Sequence, residues 1–203
     1  MKKNYLIQAW LVLLLAVVFG VALAFVENVT RPRIEQNVKD LIARRLVDMF
    51  GEGTRTDKPV PVEGEIAGRS KKIHCYPAIR QGRRVGWGIL ATGQGYDTLT
   101  LLIGVDERVE TLKGYRVIKS LETAGIGDKI KKEKSDFYKQ FESRDATKPL
   151  SPISPGKQAS GQEYNTISGA TISSKGVGKT INDNLAAVRG KLADIAKEGA
   201  GHD

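Results

Sequence analysis

The sequence has very few of the side chains that bind metals or carry out nucleophilic chemistry. It contains one cysteine, Cys75, and two histidines, His74 and His202. A single cysteine excludes an intrachain disulfide and a cysteine-ligated iron–sulfur cluster. Neighbouring residues on a strand point to opposite faces, so His74 and Cys75 are poor joint metal ligands. With only two histidines, a Ser–His–Asp hydrolase is not expected either. We predict neither a metal site nor a catalytic side chain.

The sequence also lacks the patterns typical of nucleic-acid binding. The net charge of +9 would suit nucleic acid, an anionic membrane surface or acidic partners. The basic residues are, however, spread along the chain, and neither zinc-ligand spacing nor an RNA-binding signature accompanies them. We therefore predict that nucleic acid is not a partner.

The N-terminal segment is long and apolar. Between Tyr5 and Val26 the one strongly polar side chain is Gln8. A helix of this length spans roughly 33 Å, enough to cross a hydrocarbon core of about 30 Å. A cleaved signal peptide is the alternative, because Ala22-Leu23-Ala24 resembles a cleavage site, but the apolar run exceeds the usual about 7–15 residues. The sequence predicts a retained single-pass anchor over residues 1–27.

Residues 28–58 are predicted to form an amphipathic helix and a hinge. Thr30 is a candidate cap for a helix that runs to Phe50, and the turn-rich segment Gly51–Pro59 follows it. By count, the basic residues after the apolar run outnumber those before it and favour a cytoplasmic domain, but large domains can translocate regardless of flanking charge. Basic residues lie on both sides of the apolar run: Lys2, Lys3, Arg31, Arg33, Lys39, Arg44 and Arg45.

Residues 59–196 are predicted to form one α+β domain with an antiparallel or mixed sheet flanked by helices. Short β-like runs lie too close together for parallel crossovers, at Val60–Ile66, Lys72–Ile79, Val85–Ala91, Leu99–Val105 and Tyr115–Ile118. A helix is expected over Lys131–Glu142 and a longer one after Thr171, with an apolar stripe at helical spacing: Val177, Ile181, Leu185, Val188, Leu192 and Ile195. Residues 197–203 are expected to form a flexible tail.

Small and hydroxyl-bearing residues come directly before this longer helix. Ser and Thr at such a position cap free backbone N–H groups, and a helix N-terminus also suits a phosphate. Gly169 and Ala170 carry almost no side chain, so a bulky partner could reach the Thr171 hydroxyl. From these residues alone, an ordinary capped helix start and a phosphate-binding site both remain open.

A family resemblance lies in the same stretch. Ser168-Gly169-Ala170-Thr171, followed by Ile-Ser-Ser, resembles the flavinylation motif of the FMN-binding domain family. This family includes the G subunit of the Rnf complex and the C subunit of the sodium-pumping NADH:quinone reductase. In it, a dedicated transferase joins FMN to the last Thr of the motif through a phosphoester bond. The resemblance implies that Thr171 carries covalent FMN and that Ser168, Gly169 and Ala170 form part of the cofactor site.

A second segment is similar to another signature of the family. Residues 122–127 read Glu-Thr-Ala-Gly-Ile-Gly, against Glu-Thr-Pro-Gly-Leu-Gly in the family. The resemblance implies that Glu122, Thr123, Gly125, Ile126 and Gly127 lie against the flavin. Trp87 and Tyr96 are large aromatic residues near turns; we expect both to pack in the core or at an edge, although either could flank a ring.

The resemblance further implies a function. It describes a membrane-anchored electron-carrier subunit of an Rnf-type ferredoxin:NAD oxidoreductase coupled to ion translocation, with no independent catalytic activity. The domain would lie on the periplasmic side of the inner membrane, and its partners would be other subunits of the complex and a flavin transferase.

Two alternatives stay open. The family motif usually has an acidic residue three positions before its Ser, where this chain has Asn165, so a flavin-free assembly or ligand-binding subunit is possible. The other is the corresponding subunit of a sodium-pumping NADH:quinone reductase.

Overall fold

The computed structural model describes residues 5–199, with side chains from Ala9 to Ala196. Residues 1–4 of the predicted anchor and residues 200–203 of the predicted tail, with His202, lie outside this range. The described chain divides into two compact units between Leu41 and Ile42. Each unit is described by itself.

The first unit is a single helical segment, the start of helix α1 (Tyr5–Phe50). Within the described residues, α1 is the one helix long and apolar enough to cross a membrane by length and composition, with a stretch of mean hydropathy 2.9. The predicted second helix start at Thr30 was wrong. The Thr30 hydroxyl donates to the Val26 carbonyl at 2.6 Å within a continuous helix. Pro32 also lies inside this helix.

The second unit is built on an antiparallel sheet, which confirms the predicted α+β class. Its strands pair in the order β1-β3-β4-β5-β6-β7, and β2 also pairs with β3. Their bounds are Arg55–Thr56 (β1), Val60–Ile66 (β2), Arg69–Arg80 (β3), Arg83–Gln94 (β4), Thr98–Asp106 (β5), Thr111–Ser120 (β6) and Arg144–Asp145 (β7). A separate parallel pair joins β8 (Ser151–Ile153) to β9 (Glu163–Asn165).

Helix α2 (Thr171–Gly199) covers one face of the sheet. The predicted apolar stripe lies against it: Val177, Ile181, Val188 and Leu192 are fully buried among side chains such as Leu101 and Ile103. Because successive residues of a strand face opposite sides, Leu102 points to the other face. There it packs with Ile42, Leu46 and Phe50, the last turns of α1.

The contact boundary differs from the predicted domain start at residue 59 for two reasons. Residues 42–50 of α1 pack on the sheet, and the expected hinge contains β1, in which Arg55 pairs with Ile79. Both contacts join residues far apart in sequence. Local turn signals at Gly51 and Gly53 therefore indicated a loop but could not reveal the pairing.

The helix expected over residues 131–142 was wrong. The chain forms two short 3₁₀ turns instead, at Gly127–Ile130 and Asp136–Phe141. Ser135, between them, is extended, and its hydroxyl accepts a hydrogen bond from the Phe137 N–H at 3.1 Å. A capping side chain at this point interrupts the helical pattern that the flanking lysines favour.

Candidate functional site

A cavity of about 460 Å³ opens where three segments of the second unit meet. These segments are the turn after β4, the loop after β6 and the first turn of α2. Small-molecule sites usually have volumes of about 300–1,000 Å³, so the cavity is large enough for a ligand. Its walls are formed by Tyr96, Glu122, Thr123, Ile126, Gly127, Gly169, Ala170, Thr171, Ile172 and Ser173.

The structure brings together most of the residues that the two motifs predicted. The predicted residues that line the cavity are Glu122, Thr123, Ile126, Gly127, Gly169, Ala170 and Thr171. Ser168 and Gly125 belong to the same two segments but do not line it. Three further lining residues, Tyr96, Ile172 and Ser173, were not predicted as site residues. Ile172 and Ser173 directly follow Thr171, so proximity along the chain was the available signal.

Thr171 is the first residue of α2 and is exposed. The first intrahelical bond runs from the Ser174 N–H to the Ala170 carbonyl at 2.9 Å. The Ser174 hydroxyl accepts from the Ile167 N–H at 3.0 Å and donates to the Ala170 carbonyl at 2.8 Å, so this serine ties down the helix start. The N–H groups of residues 171–173 precede that first intrahelical bond, at the positive end of the helix.

Glu122 joins the three walls of the cavity. Its carboxylate is almost fully buried, with 8% of the residue exposed. One oxygen accepts from the N–H groups of Tyr96 at 3.0 Å and Asp97 at 3.4 Å, and the other accepts from the Ser173 hydroxyl at 2.6 Å. The same carboxylate therefore contacts the turn after β4 and the start of α2.

The loop after β6 is closed by its own backbone. The Thr123 carbonyl accepts from the N–H groups of residues 126–128 at 3.0–3.3 Å. Asp128, which is also buried, accepts from the Gly125 N–H at 2.8 Å. Gly125 has φ of 78°, a left-handed conformation that glycine adopts without strain. The loop therefore holds its shape with Ala124 in place of the proline of the family signature.

Glycines allow the walls to approach closely. A Cβ atom at Gly127 would lie 2.5 Å from a Glu122 carboxylate oxygen and 2.9 Å from the Ser173 hydroxyl. On α2, a Cβ atom at Gly176 would lie 2.6 Å from the Gly95 Cα. The start of α2 thus meets the turn after β4 backbone against backbone.

Exposed apolar side chains surround the cavity. Among the described residues from Ile42 to Ala196, four large apolar side chains are exposed: Tyr96 (71%), Leu121 (61%), Ile126 (51%) and Ile172 (59%). Three of them line the cavity, and Leu121 is adjacent in sequence to Glu122. Such a cluster on an otherwise polar domain surface is typical of a binding site.

The end of β9, which precedes α2 in the sequence, is held by the side chain of Gln140. Gln140 accepts from the Asn165 N–H at 2.8 Å and donates to the Asn165 carbonyl at 3.2 Å. The Asn165 side-chain oxygen is buried and, within the described residues, has no hydrogen-bond donor. Asn165 lies at the end of β9 and does not line the cavity.

Tyr164 packs behind the first turns of α2. Its ring contacts Phe137 and Phe141, with centroid distances of 6.2 Å and 4.9 Å, and its hydroxyl donates to the Ser174 carbonyl at 3.4 Å. Burial raises the pKa of the Tyr164 hydroxyl to about 12. The hydroxyl is therefore neutral near pH 7 and acts as a structural donor.

Comparisons with known proteins relate the segment that forms the cavity to a known domain. Residues 95–186 match the family model of the FMN-binding domain. The chain is 28% identical over 186 residues to the G subunit of the ion-translocating oxidoreductase complex of Cereibacter sphaeroides, covering 91% of this chain and 84% of that protein. It is 26% identical over 212 residues to the G subunit of the same complex in Pseudomonas aeruginosa, covering 100% and 98% of the two chains.

A solved structure shows the same fold. The crystal structure of Shewanella oneidensis NqrC superposes with a TM-score of 0.55 over 70% of each chain, at 16% identity. All the residues that line the cavity lie within the segment 95–186 that the family model matches. The segment that forms the cavity is therefore similar to the FMN-binding domain family.

Proposed function

We propose that the chain is the flavin-carrying subunit of an ion-translocating oxidoreductase complex, with FMN joined to Thr171 by a phosphoester bond. When bound, FMN supplies a redox group that accepts two electrons and releases them singly. The observation that carries the proposal is the position of Thr171. It is exposed, at the positive end of a 29-residue helix, on the wall of a cavity surrounded by apolar side chains.

The helix start suits the phosphate end of FMN. The N–H groups of residues 171–173 and the helix dipole both favour a negative charge beside Thr171. Nothing lies within 4 Å of the position that a Cβ atom would occupy at Gly169, and Ala170 is small. The two residues that precede Thr171 therefore place no bulky side chain beside it.

The apolar side chains around the cavity suit the ring end of FMN. Tyr96, Ile126 and Ile172 all line it and are more than half exposed. Covering apolar surface contributes about 25 cal/mol per Å², so a flat aromatic ring placed on these side chains would be stabilised there. The ring would also keep these side chains from water.

The similarity to G subunits of such complexes supports a role within a complex. Those relatives are named as subunits of ion-translocating oxidoreductase complexes, and they align with nearly the whole chain. We place the anchor in residues 1–27, which include the start of α1, and the domain on the periplasmic side of the inner membrane. Other subunits of the complex and a flavin transferase would be its partners, and the chain would relay electrons without independent activity.

The proposal is tested by intact mass on the full chain, produced in a host that contains the transferase and purified in detergent. We expect an FMN-sized adduct, with flavin fluorescence retained after denaturing electrophoresis. Thr171→Ala should lose both signals. Thr92→Ala, at an exposed position of β4 outside the cavity, should keep both and serves as the matched control. An unmodified native chain would contradict the covalent attachment.

Asn165 favours a second candidate function. The family pattern usually has an acidic residue here, and the Asn165 side-chain oxygen lacks a hydrogen-bond donor within the described residues. A chain that is not recognised by the transferase would act as a flavin-free assembly or ligand-binding subunit. The unmodified outcome of the mass experiment would support that role.

A further inference from the structure

We infer that Glu122 is a positioning residue of the proposed flavin site. It holds the turn after β4 and the first turn of α2 together, so that Tyr96 and Thr171 face the same cavity. The inference rests on the proposed function for its consequence, whereas the contacts themselves belong to the protein alone. Glu122 then acts on the flavin through the residues that it positions. The family resemblance, in contrast, implies a direct contact between Glu122 and the flavin.

Both oxygens of the carboxylate are directed at protein donors. Three hydrogen bonds reach them, from the N–H groups of Tyr96 and Asp97 and from the Ser173 hydroxyl. A buried carboxylate is stable only when such donors satisfy it. Because these donors come from two segments that lie far apart in the sequence, the carboxylate fixes their spacing.

Two glycines on different segments make room for this side chain. A Cβ atom at Gly127 would lie 2.5 Å from one carboxylate oxygen, and a Cβ atom at Gly95 would collide with the other. Gly127 does not have a positive φ, so its backbone conformation does not require glycine. The space taken by the Glu122 carboxylate is a sufficient reason for glycine at this position.

A glutamine at position 122 would preserve most of this arrangement. Its carbonyl oxygen can accept from the two N–H groups, and its amide nitrogen can donate to the Ser173 hydroxyl, whereas its charge is zero. An alanine would preserve none of it. The pair of substitutions therefore separates positioning, which needs shape and hydrogen bonds, from a role that needs the negative charge.

The first experiment uses flavin-free protein and measures amide hydrogen exchange in the full chain carrying Thr171→Ala. Adding Glu122→Ala should speed exchange at Tyr96 and Asp97 at least tenfold, and adding Glu122→Gln should leave it within about threefold of the parent. Glu110→Ala, at an exposed position outside the cavity, is the control and should change nothing. Unchanged exchange in the Glu122→Ala protein would overturn the inference.

The second experiment measures flavin occupancy by intact mass with Thr171 present. We expect a several-fold loss for Glu122→Ala and occupancy within twofold of the native chain for Glu122→Gln. If glutamine were as defective as alanine, the charge itself would be needed and positioning would be wrong. If the native chain carried no flavin, the proposed function would fail, while the exchange experiment would still decide the role of Glu122.

Ser173→Ala covers the case in which Glu122→Ala does not fold. This variant removes only the contact between the carboxylate and α2. We expect faster exchange in the first turn of α2, unchanged exchange at Tyr96 and Asp97, and reduced flavin occupancy. If exchange in the first turn of α2 were as slow as in the parent protein, the inference would be contradicted.

Discussion

Two regions of the second unit both contain a buried, hydrogen-bonded charged group but differ in how much apolar surface they expose. In the first, which we call the closed region, Arg116 is 3% exposed and its guanidinium contacts Asp48 at 2.5 Å and Glu142 at 3.3 Å, and lies 4.8 Å from the centre of the Tyr138 ring. In the second, the open region around the cavity, Glu122 is equally well bonded. There, however, large apolar side chains remain exposed.

The difference indicates which region is built to bind a ligand. The closed region joins the last turns of α1 to β6 and the 3₁₀ turns, and its charges are satisfied by one another. In the open region the hydrogen bonds fix the walls, and the apolar surface and helix N–H groups stay available. The buried charge of Arg116 therefore stabilises the fold, whereas the buried charge of Glu122 holds the walls of a cavity. The exposed apolar side chains around the cavity distinguish the open region from the closed one.

The largest effect is expected from breaking the closed region. Arg116→Ala leaves Asp48 and Glu142 without their shared partner and removes a buried side chain. We expect a loss of about 3 kcal/mol in the free energy of unfolding, measured by urea denaturation. Flavin occupancy of the folded protein should not change. Arg108→Ala, at an exposed position, should stay within about 0.5 kcal/mol of the native value.

A smaller loss of stability with a larger loss of flavin is expected from the open region. In Gly127→Ala the added methyl group displaces the Glu122 carboxylate, at a cost of about 1–3 kcal/mol. Flavin occupancy, measured by intact mass, should fall several-fold. The matched control is Gly190→Ala on α2, where nothing lies within 4 Å and alanine should stabilise by about 0.5–1 kcal/mol. Full occupancy in Gly127→Ala would contradict the comparison.

The smallest effect concerns the acid stability of the closed region. Burial raises the pKa of Asp48, but hydrogen bonds from Arg116 and Lys132 outweigh this and hold the pKa below its ordinary value of 3.8. A carboxyl group with a lowered folded pKa stabilises the protein above its unfolded pKa, and this contribution is lost as the pH falls.

Asp48→Asn should therefore reduce the stability difference between about pH 7 and about pH 3, by less than ~1 kcal/mol. Urea unfolding at the two pH values measures it. An equal difference in both proteins would show that Asp48 does not contribute to acid sensitivity.

The sequence predicted the elements that depend on local pattern. The alternation in Val60–Ile66 matches the bounds of β2, and the helix after the Ser-Gly-Ala-Thr motif begins at Thr171. The strand and the helix start can both be predicted from neighbouring residues, because side-chain periodicity and helix capping are local properties. The two motif segments likewise predicted most of the cavity lining, because each segment is continuous in sequence.

Contacts across long separations could not be predicted in the same way. The pairing of Arg116 with Asp48 joins residues 68 positions apart, and neither residue belongs to a pattern that signals the other. Tyr96 lines the cavity because the turn after β4 bends towards Glu122, which depends on a hydrogen bond between distant segments. Such placements follow from tertiary packing, and no local pattern in the sequence around either residue reveals its distant partner.

The contact of Gly176 with Gly95 and the Gln94 carbonyl has a mechanical consequence. Side chains can absorb small displacements by changing rotamer, whereas backbone atoms in contact have no such freedom. The start of α2 therefore cannot move closer to the turn after β4. This contact sets the smallest width of the cavity between Thr171 and Tyr96, while the Glu122 hydrogen bonds keep the two segments from moving apart.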